Sequence, residues 1–430
     1  MKKGLRKIVA VVLTAAMALS ISMPAFAQNM EEPEGYLYGD YCDYTLEELT
    51  AQTDVQPFGL VSDPVNELLN ATTEKANYLK QYDSSGEYIE MLSVLDIDNI
   101  YDTVLSEDLT QEQAATLIRT WATNENVGIT AEAPLEIKTP EELSEAGDNS
   151  KNSRAYSGNI TVDVRSYDNT GYHYIVRSVN GYNKASGHIT LPTTTFGSNM
   201  PSGNPDVPCA HFGIYTSDDS VGLDLGMSLH SDGYWRCCVS GYVKYGGAAA
   251  NNGGQAYTTY YKEMYNANGT TLKFTKNQCP KVYFVANAIK QSGYDTFKLT
   301  AVNSTTWETM GEIVINTNEN GYPARYVNGV LIPNLAPNKS YLNTNYSNCR
   351  LHREVTIAYN EDASRVLTGT KVEGAKWEKV YVYSPTVTAL WGTAYTASAN
   401  YQAKTATMAS KIYTSITSKW HEDTTRIVCQ

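Results

Sequence analysis

The sequence predicts a mainly β protein, an antiparallel jelly-roll-like β-sandwich with an N-terminal helical segment and a C-terminal helix. Two observations lead to this fold class. About a dozen short runs of alternating apolar and polar residues follow residue 157, separated by Gly, Asn, Asp and Pro clusters. Before them, apolar residues recur at helical spacing in a segment rich in Asp and Glu.

The first 27 residues have the pattern of a secretory signal. Four basic residues precede an apolar run that ends in "AFA". We therefore expect cleavage after Ala27 and a secreted, extracellular protein. No later stretch is apolar and long enough to cross a bilayer, so no membrane association is expected after cleavage.

Charge divides the remaining chain in two. Residues 28–153 carry 27 acidic and 5 basic residues, whereas residues 154–430 carry 19 acidic and 24 basic residues. We assign 28–146 to an acidic helical segment, 147–156 to a linker and 157–430 to the β-sandwich domain. The acidic segment is either a solvated spacer or a pro-segment that docks on the oppositely charged body and inhibits it.

Helices are predicted where apolar residues fall on one stripe and a capping residue precedes them. The ranges are 62–82, 87–105, 110–124 and 139–147, the third with Thr110 as its N-cap. Near the C-terminus, Met408, Ile412, Ile416 and Trp420 are spaced four apart, which predicts an amphipathic helix over 401–420.

The stretch "VGLDLGMSLHSDGYWRCCVSGY" predicts a β-hairpin. A three-residue "SDG" loop, with Gly233 at its left-handed position, places Met227 opposite Cys237 and puts every apolar residue opposite an apolar partner. Because neighbouring side chains of a strand point to opposite faces, Cys237 belongs to the core and Cys238 to the polar face.

The polar face of this hairpin and of the preceding strand collects the candidate site residues. The simplest interpretation is an ordinary sheet surface, with Cys209 and Cys238 as disulfide candidates. Alternatively, the face binds sugar, since aromatic rings cover apolar sugar faces and charged groups bind hydroxyls. The predicted ligand-binding residues are His211, Asp224, His230, Tyr234, Arg236 and Tyr242.

Two less favoured alternatives use the same face. Cys209, His211, His230 and Cys238 are a conceivable zinc set, and a Cys–His pair is a conceivable nucleophile. The sequence fixes none of the required distances, so we assign no metal, no cofactor and no catalytic residue. It also has no basic cluster for nucleic acid, and no common hydrolase, metalloprotease or nucleotide-binding motif.

The strand pattern, with "GLDLGM", "DGYW", "HREVTIAY" and "AKWEKVYVY", resembles the concanavalin-A-like lectin/glucanase jelly rolls over about residues 157–393. That resemblance implies a concave sheet that binds or cleaves polysaccharide. The clustered acidic motif of the glucanases is missing, because "GLDLG" offers Asp224 alone. The leading hypothesis is therefore non-catalytic binding of carbohydrate or a cell-surface glycan. The alternatives are a secreted glycoside or peptide hydrolase with an inhibitory pro-segment, and a structural surface protein.

Overall fold

The computed structural model describes most of the chain from residue 41 onward, within the compact unit Glu34–Gln430. The described residues are 41–42, 44–53, 64–123, 160–164, 171–200, 206–218, 220–245, 256–266, 270–291, 294–316, 325–327, 330–332, 341–343, 345–358, 368–418 and 421–429.

Five helices precede the strands in the described part of the chain, and none of the described helices is long and apolar enough to span a membrane. They are α1 (Leu46–Thr53), α2 (Pro64–Leu79), α3 (Glu87–Met91), α4 (Val94–Ser106) and α5 (Gln111–Thr123). The helices predicted at 62–82 and 110–124 are confirmed. The helix predicted over 87–105 is two helices, because the chain turns to an extended conformation at Leu92 and Ser93 then caps the second helix by accepting a hydrogen bond from Asp96 N–H.

Nine described strands form the first large sheet, which we call the front sheet. In spatial order they are β1 (Ile160–Val164), β18 (Thr396–Ala403), β2 (Tyr172–Ser178), β15 (Cys349–Ala358), β5 (Val207–Thr216), β6 (Val221–Leu229), β7 (Trp235–Tyr245) and β8 (Ala256–Glu263), with β9 (Lys273–Phe274) also on β7.

Nine more described strands form the back sheet. In order they are β12 (Thr309–Asn316), β11 (Tyr294–Asn303), β10 (Lys281–Gln291), β3 (Lys184–Thr190), β16 (Lys371–Ser384), β20 (Glu422–Val428) and β19 (Ile412–Ser418), with β4 (Thr193–Thr195) and β17 (Val387–Leu390) also on β16. The remaining described elements are the hairpin β13 (Arg325–Val327) and β14 (Val330–Ile332), a 3₁₀ turn (Thr393–Tyr395) and α6 (Ala406–Ala409).

The two sheets enclose one apolar core, as a β-sandwich requires. Alternate residues of each strand enter it, and the Phe212 ring of the front sheet lies 4.7 Å from the Trp377 ring of the back sheet, centroid to centroid. The predicted mainly β sandwich is therefore confirmed. The residues between them point away from the core, so each sheet also has an outer face.

The helices pack on the outer face of the back sheet. Tyr283, Val285, Val302 and Trp307 of that face join one apolar cluster with residues of α2–α5. Charge pairs surround the cluster, with Asp96 3.1 Å from Lys298, Asp102 2.6 Å from Lys184 and Glu107 2.7 Å from Lys379.

The predicted register of the β6–β7 hairpin is the observed one. Gly226 pairs with Cys238, Met227 with Cys237 and Leu229 with Trp235. Cys237 is fully buried in the core, as alternation predicts. Gly233 closes the loop in the left-handed region, with φ of 82°.

The predicted C-terminal helix over 401–420 is wrong. The structure has the end of β18, the single turn α6 and strand β19 over this range, while residues 419–420 lie outside the described part. A spacing of four is even, so Ile412 and Ile416 share a face in a strand as well as in a helix. The β-branched residues between them favour the strand.

The helix predicted over 139–147 and the linker at 147–156 also lie outside the described residues.

Candidate active site

An open cleft of about 650 Å³ lies on the outer face of the front sheet, opposite the face that packs in the core. Its lining residues come from β1, β18, β2, β15, β5, β6 and β7. Apart from Met227 and Leu351, which also belong to the core, they occupy the strand positions that alternate with core residues, which is why one sheet supplies both a hydrophobic core and a polar floor. None of the lining residues belongs to α1–α5.

Strand register places four ionisable residues together on the cleft floor. One row across three strands is Asp224 on β6, Gly213 on β5 and His352 on β15. The next row, two residues along, is Gly226, His211 and Glu354 on the same three strands. The four side chains therefore share one face of three adjacent strands, although they are up to 143 residues apart in sequence.

The two glycines in these rows leave room for the imidazole rings. A Cβ on Gly213 would lie 2.0 Å from Nε2 of His352, so the ring occupies the space that any other side chain would fill. A Cβ on Gly226 would lie 2.5 Å from Cβ of His211 and closer still to its backbone. Both positions require glycine because of close approach, not because of backbone conformation.

The four groups contact one another in a ring of alternating nitrogen and oxygen atoms. Nε2 of His211 is 3.5 Å from Oδ1 of Asp224 and 3.5 Å from Oε2 of Glu354. Nε2 of His352 is 3.1 Å from the same Asp224 oxygen and 3.9 Å from the same Glu354 oxygen. Each imidazole thus faces both carboxylates.

Neighbouring side chains hold both carboxylates in place. Oε1 of Glu354 contacts Nδ1 of His173, which also lies 3.0 Å from Oγ1 of Thr356. The hydroxyl of Tyr215 donates to Oδ1 of Asp224 at 2.9 Å. These contacts fix the second oxygen of Glu354 toward the two imidazoles.

The cluster shifts the proton affinity of its members. Burial opposes charge on His211, but the Asp224 and Glu354 carboxylates outweigh it and raise the pKa of His211 to about 9. Burial also opposes the Glu354 carboxylate, yet His173 and His211 hold its pKa well below the ordinary value. The pKa of Asp224 is lowered against its burial, chiefly by His211 and by the hydrogen bond from His352.

Burial favours the neutral form of two other members of the floor. It lowers the pKa of His352 despite the nearby Asp224 carboxylate. It also raises the pKa of Cys209 well above the ordinary value for a thiol. A buried neutral thiol is a poor nucleophile, which argues against the Cys–His pair considered from the sequence.

The structure brings together only some of the sequence-predicted residues. His211, Asp224, Cys209 and Cys238 line the cleft. The Cys209–Cys238 disulfide considered from the sequence is not formed, since all seven cysteines, each of which is described, are free thiols.

Three of the other predicted ligand residues, His230, Tyr234 and Arg236, lie toward the hairpin tip and do not line the cleft. Arg236 pairs with Asp232, Nε2 of His230 lies 3.1 Å from the Ser228 hydroxyl, and the ammonium of Lys273 lies over the Tyr234 ring. The Tyr242 side chain lies outside the described residues.

Three functional candidates were missed from the sequence. They are His352, Glu354 and His173. The available signal was the alternation of His352, Glu354 and Thr356 with Leu351, Val355 and Ile357 in "LHREVTI". Among the described residues, His211, His352 and Glu354 form the group with the geometry to hold a metal ion, their donor atoms lying within 4.8 Å of one another.

Comparisons with known proteins give little further guidance. A scan against protein-family models and a search of curated proteins gave no match. Three solved structures align with 60% of this chain. They are scytalido-glutamic peptidase with a peptide-based transition-state analogue (8% identity, 99% of that chain, TM-score 0.32), the eqolisin-family peptidase SCP-B with the tripeptide Ala-Ile-His (9%, 99%, 0.33) and the enzymatically active domain of bacteriophage CBA120 tailspike protein 2 (11%, 34%, 0.24).

Scores this low do not establish a shared activity. They also give no specific support to the concanavalin-like resemblance of the strand pattern.

Proposed function

We propose that this protein is a secreted hydrolase that cleaves peptide bonds in the front-sheet cleft. One observation carries the proposal: two carboxylates and two imidazoles, from Asp224, Glu354, His211 and His352, are in mutual contact on the floor of an open cleft. Hydrolysis needs a proton acceptor for water and a positive group for the developing oxyanion, and this cluster supplies both.

Asp224 is the proposed general base. Its side chain is 27% exposed, whereas that of Glu354 is only 6% exposed, so Asp224 is the carboxylate that cleft water reaches. Its contacts to Tyr215, His211 and His352 all use Oδ1, which directs Oδ2 to water or substrate. Asp224 takes a proton as water attacks the carbonyl carbon and returns it to the leaving amine, so the products are a carboxylic acid and an amine.

His211 is the proposed electrophilic group of the site, because its raised pKa favours the positively charged imidazole. Positive charge there stabilises the oxygen of the tetrahedral intermediate, while His352 holds the Asp224 carboxylate through Nε2. Glu354 acts as a positioning residue, because His173 fixes one of its oxygens and the other faces both imidazoles.

The lining favours a peptide over a sugar. Among the described lining residues, Tyr215 is the one Tyr, Phe or Trp, and its hydroxyl and ring contact Asp224 and His352. A glycan site is expected to offer several aromatic platforms. Carbohydrate binding at the hairpin tip, through Tyr234 and its neighbours, stays a prediction of the sequence.

We infer that helices α2–α5 of the acidic segment support the fold and do not line the site. Helices α2–α5 bury apolar residues of the back sheet and pair with its lysines, whereas the cleft is lined by the front sheet. Intact-mass measurement of the mature secreted protein tests this, since a chain beginning near residue 28 is expected and a chain beginning near 147–159 would contradict it.

Activity is tested with the full mature chain on a denatured protein such as casein and on a panel of polysaccharides. We expect peptide release by the wild type and a loss of about 10²–10⁴-fold in Asp224→Asn. Glu373→Gln is the matched control, because Glu373 is a carboxylate of the back sheet paired with Arg426. Activity on polysaccharides alone, or activity of Asp224→Asn equal to that of the control, would contradict the proposal.

A further inference from the structure

Two contacts of His211 on the cleft floor are longer than a direct ion pair. Nε2 of His211 is buried and forms no hydrogen bond among the described residues, although two carboxylate oxygens lie 3.5 Å from it. A protonated imidazole paired directly with a carboxylate would draw to about 2.7–2.9 Å. The distances of 3.5 Å from Nε2 of His211 to the Asp224 and Glu354 oxygens are therefore longer than direct hydrogen bonds.

The same spacing suits a shared metal ion. Zinc binds nitrogen and oxygen ligands at about 2.0–2.2 Å, so neighbouring ligands of a tetrahedral site lie about 3.3–3.6 Å apart. Nε2 of His211 and Oε2 of Glu354 are 3.5 Å apart, and Nε2 of His352 and the same oxygen are 3.9 Å apart. All three donor atoms lie within 4.8 Å of one another, so a contraction of the group would bring them to the zinc geometry.

The surroundings of the three donors resemble the support that metal ligands have. Glu354 binds through Oε2, while His173 holds its Oε1, and such outer contacts orient ligands and tune a metal site. Gly213 gives the His352 ring its space, and the Tyr215 ring lies 4.5 Å from it, centroid to centroid. All three donors are also buried, at 8% exposure or less.

We propose that His211, His352 and Glu354 bind one divalent transition-metal ion, with zinc the best fit, and leave a fourth position for water beside Asp224. Two imidazoles and one carboxylate with an open position form the donor set of catalytic zinc sites. Ca²⁺ and Mg²⁺ prefer oxygen ligands throughout, so the two histidines disfavour them.

This inference deepens the proposed hydrolase and rests on it for its role. A bound zinc ion would lower the pKa of its water and polarise the substrate carbonyl, and it would take over the electrophilic role of His211, which binds metal as the neutral imidazole. Asp224 keeps the task of proton acceptor, since its Oδ1 lies within 3.5 Å of both histidine Nε2 atoms. Metal binding itself does not need a substrate and is measured without one.

The test is calorimetric titration of the full mature protein, stripped with EDTA and dialysed, with Zn²⁺. We expect one equivalent to bind, with affinity falling at least about 10-fold in His211→Gln, His352→Gln and Glu354→Gln. His230→Gln is the matched control, because His230 lies in the loop of the β6–β7 hairpin, outside the cleft lining. It is expected to bind zinc like the wild type.

A thermal melt of each variant separates lost ligands from a lost fold. Zinc raises the melting temperature of a protein whose folded state binds it, so we expect a rise in the wild type and in His230→Gln. A cooperative melt that zinc no longer shifts is expected in the three ligand variants. Wild-type protein that binds no zinc, or binding that is equal in all variants, would overturn the metal site.

The metal inference and the hydrolase proposal fail in different ways. Peptide hydrolysis that survives EDTA, in protein that binds no zinc, would overturn the metal site and leave the hydrolase proposal intact. Zinc bound by His211, His352 and Glu354 in protein without hydrolytic activity would support the metal site and overturn the proposed function.

Discussion

The two outer faces of the sandwich both carry histidines beside carboxylates, but they are built differently. On the back sheet, Nε2 of His188 lies 3.2 Å from Glu107, a residue that follows helix α4. On the front sheet, His211 contacts Asp224 and Glu354, and all three belong to strands of that sheet. The contact between His188 and Glu107 joins the helical segment to the back sheet, whereas the contacts of His211 lie within the front sheet.

The partners of each charge show the same difference. On the back sheet, carboxylates of the helical segment meet lysines of the sheet, as Asp102 does with Lys184. Apolar residues fill the space between these pairs, as in any packed interface. On the front sheet, no lysine lines the described cleft, and the carboxylates share two imidazoles. Similar residues therefore hold the fold together on one face and form the candidate active site on the other.

Removal of residues 28–146 is expected to have the largest effect on the stability of the back sheet. It exposes Tyr283, Val285, Val302 and Trp307 on the back sheet and leaves its lysines without their carboxylates. We expect the truncated protein to aggregate or to unfold without a cooperative transition, as followed by circular dichroism. A truncated body that melts cooperatively and hydrolyses peptides would instead identify the segment as a removable pro-segment.

A substitution that leaves one cavity in the apolar cluster between the helices and the back sheet is a smaller change to the same face. Leu117 of α5 is fully buried, so Leu117→Ala is expected to lower the free energy of unfolding by about 2–5 kcal/mol. Leu105→Ala is the control, because Leu105 is 55% exposed in α4 and its loss is expected to cost less than about 0.5 kcal/mol. Urea denaturation measures both, and equal effects would show that α5 contributes no packing.

On the front sheet, Gly213→Ala perturbs the site with one methyl group. The new Cβ would meet the His352 ring 2.0 Å away, so the ring must move. We expect a stability loss of about 1–3 kcal/mol from overpacking and a loss of peptide hydrolysis of about 10²-fold from the displaced imidazole. Unchanged activity in this variant would mean that the position of His352 is not important.

Acid pH is expected to weaken the helix–sheet contact slightly. Burial opposes the Glu107 carboxylate, but hydrogen bonds and charge from His188 and Lys379 hold its pKa below the ordinary value of 4.5. A depressed pKa stabilises the fold above about pH 4.5 and loses that contribution as the pH falls through the lower folded-state value. Urea denaturation at pH 7 and pH 3 measures the effect.

Glu107→Gln is expected to reduce that pH dependence, and Glu112→Gln, an exposed change in α5, is expected to leave it unchanged. The same pH dependence in all three proteins would contradict this role of Glu107.

Alternation along the chain was sufficient to predict the sandwich and half of the site. It placed Cys237 in the core and put His211 and Asp224 on one face, because a strand's period is local and readable. It missed His352 and Glu354, because Arg353 stands between them at a core position. That arginine is fully buried and pairs with the buried Asp423 of β20, a compensation that no local pattern shows.

The contacts that complete the cluster join strands far apart in sequence. His352 meets Asp224 only because β15, β5 and β6 are neighbours in the front sheet. A hydrophobic period fixes the face of each strand, but the order of strands depends on packing of the whole sheet. The C-terminal strand β19 shows the other limit, since a spacing of four suits a helix and a strand alike.

In the proposed function, the front sheet carries out the reaction and the contact between the helices and the back sheet stabilises the fold. The most direct measurement compares Asp224→Asn with Glu107→Gln, each assayed for peptide hydrolysis per folded molecule and for the free energy of unfolding. We predict that Asp224→Asn loses activity by about 10²-fold or more and keeps a cooperative fold, and that Glu107→Gln loses stability and keeps its activity. Full activity in Asp224→Asn, or lost activity in folded Glu107→Gln, would contradict it.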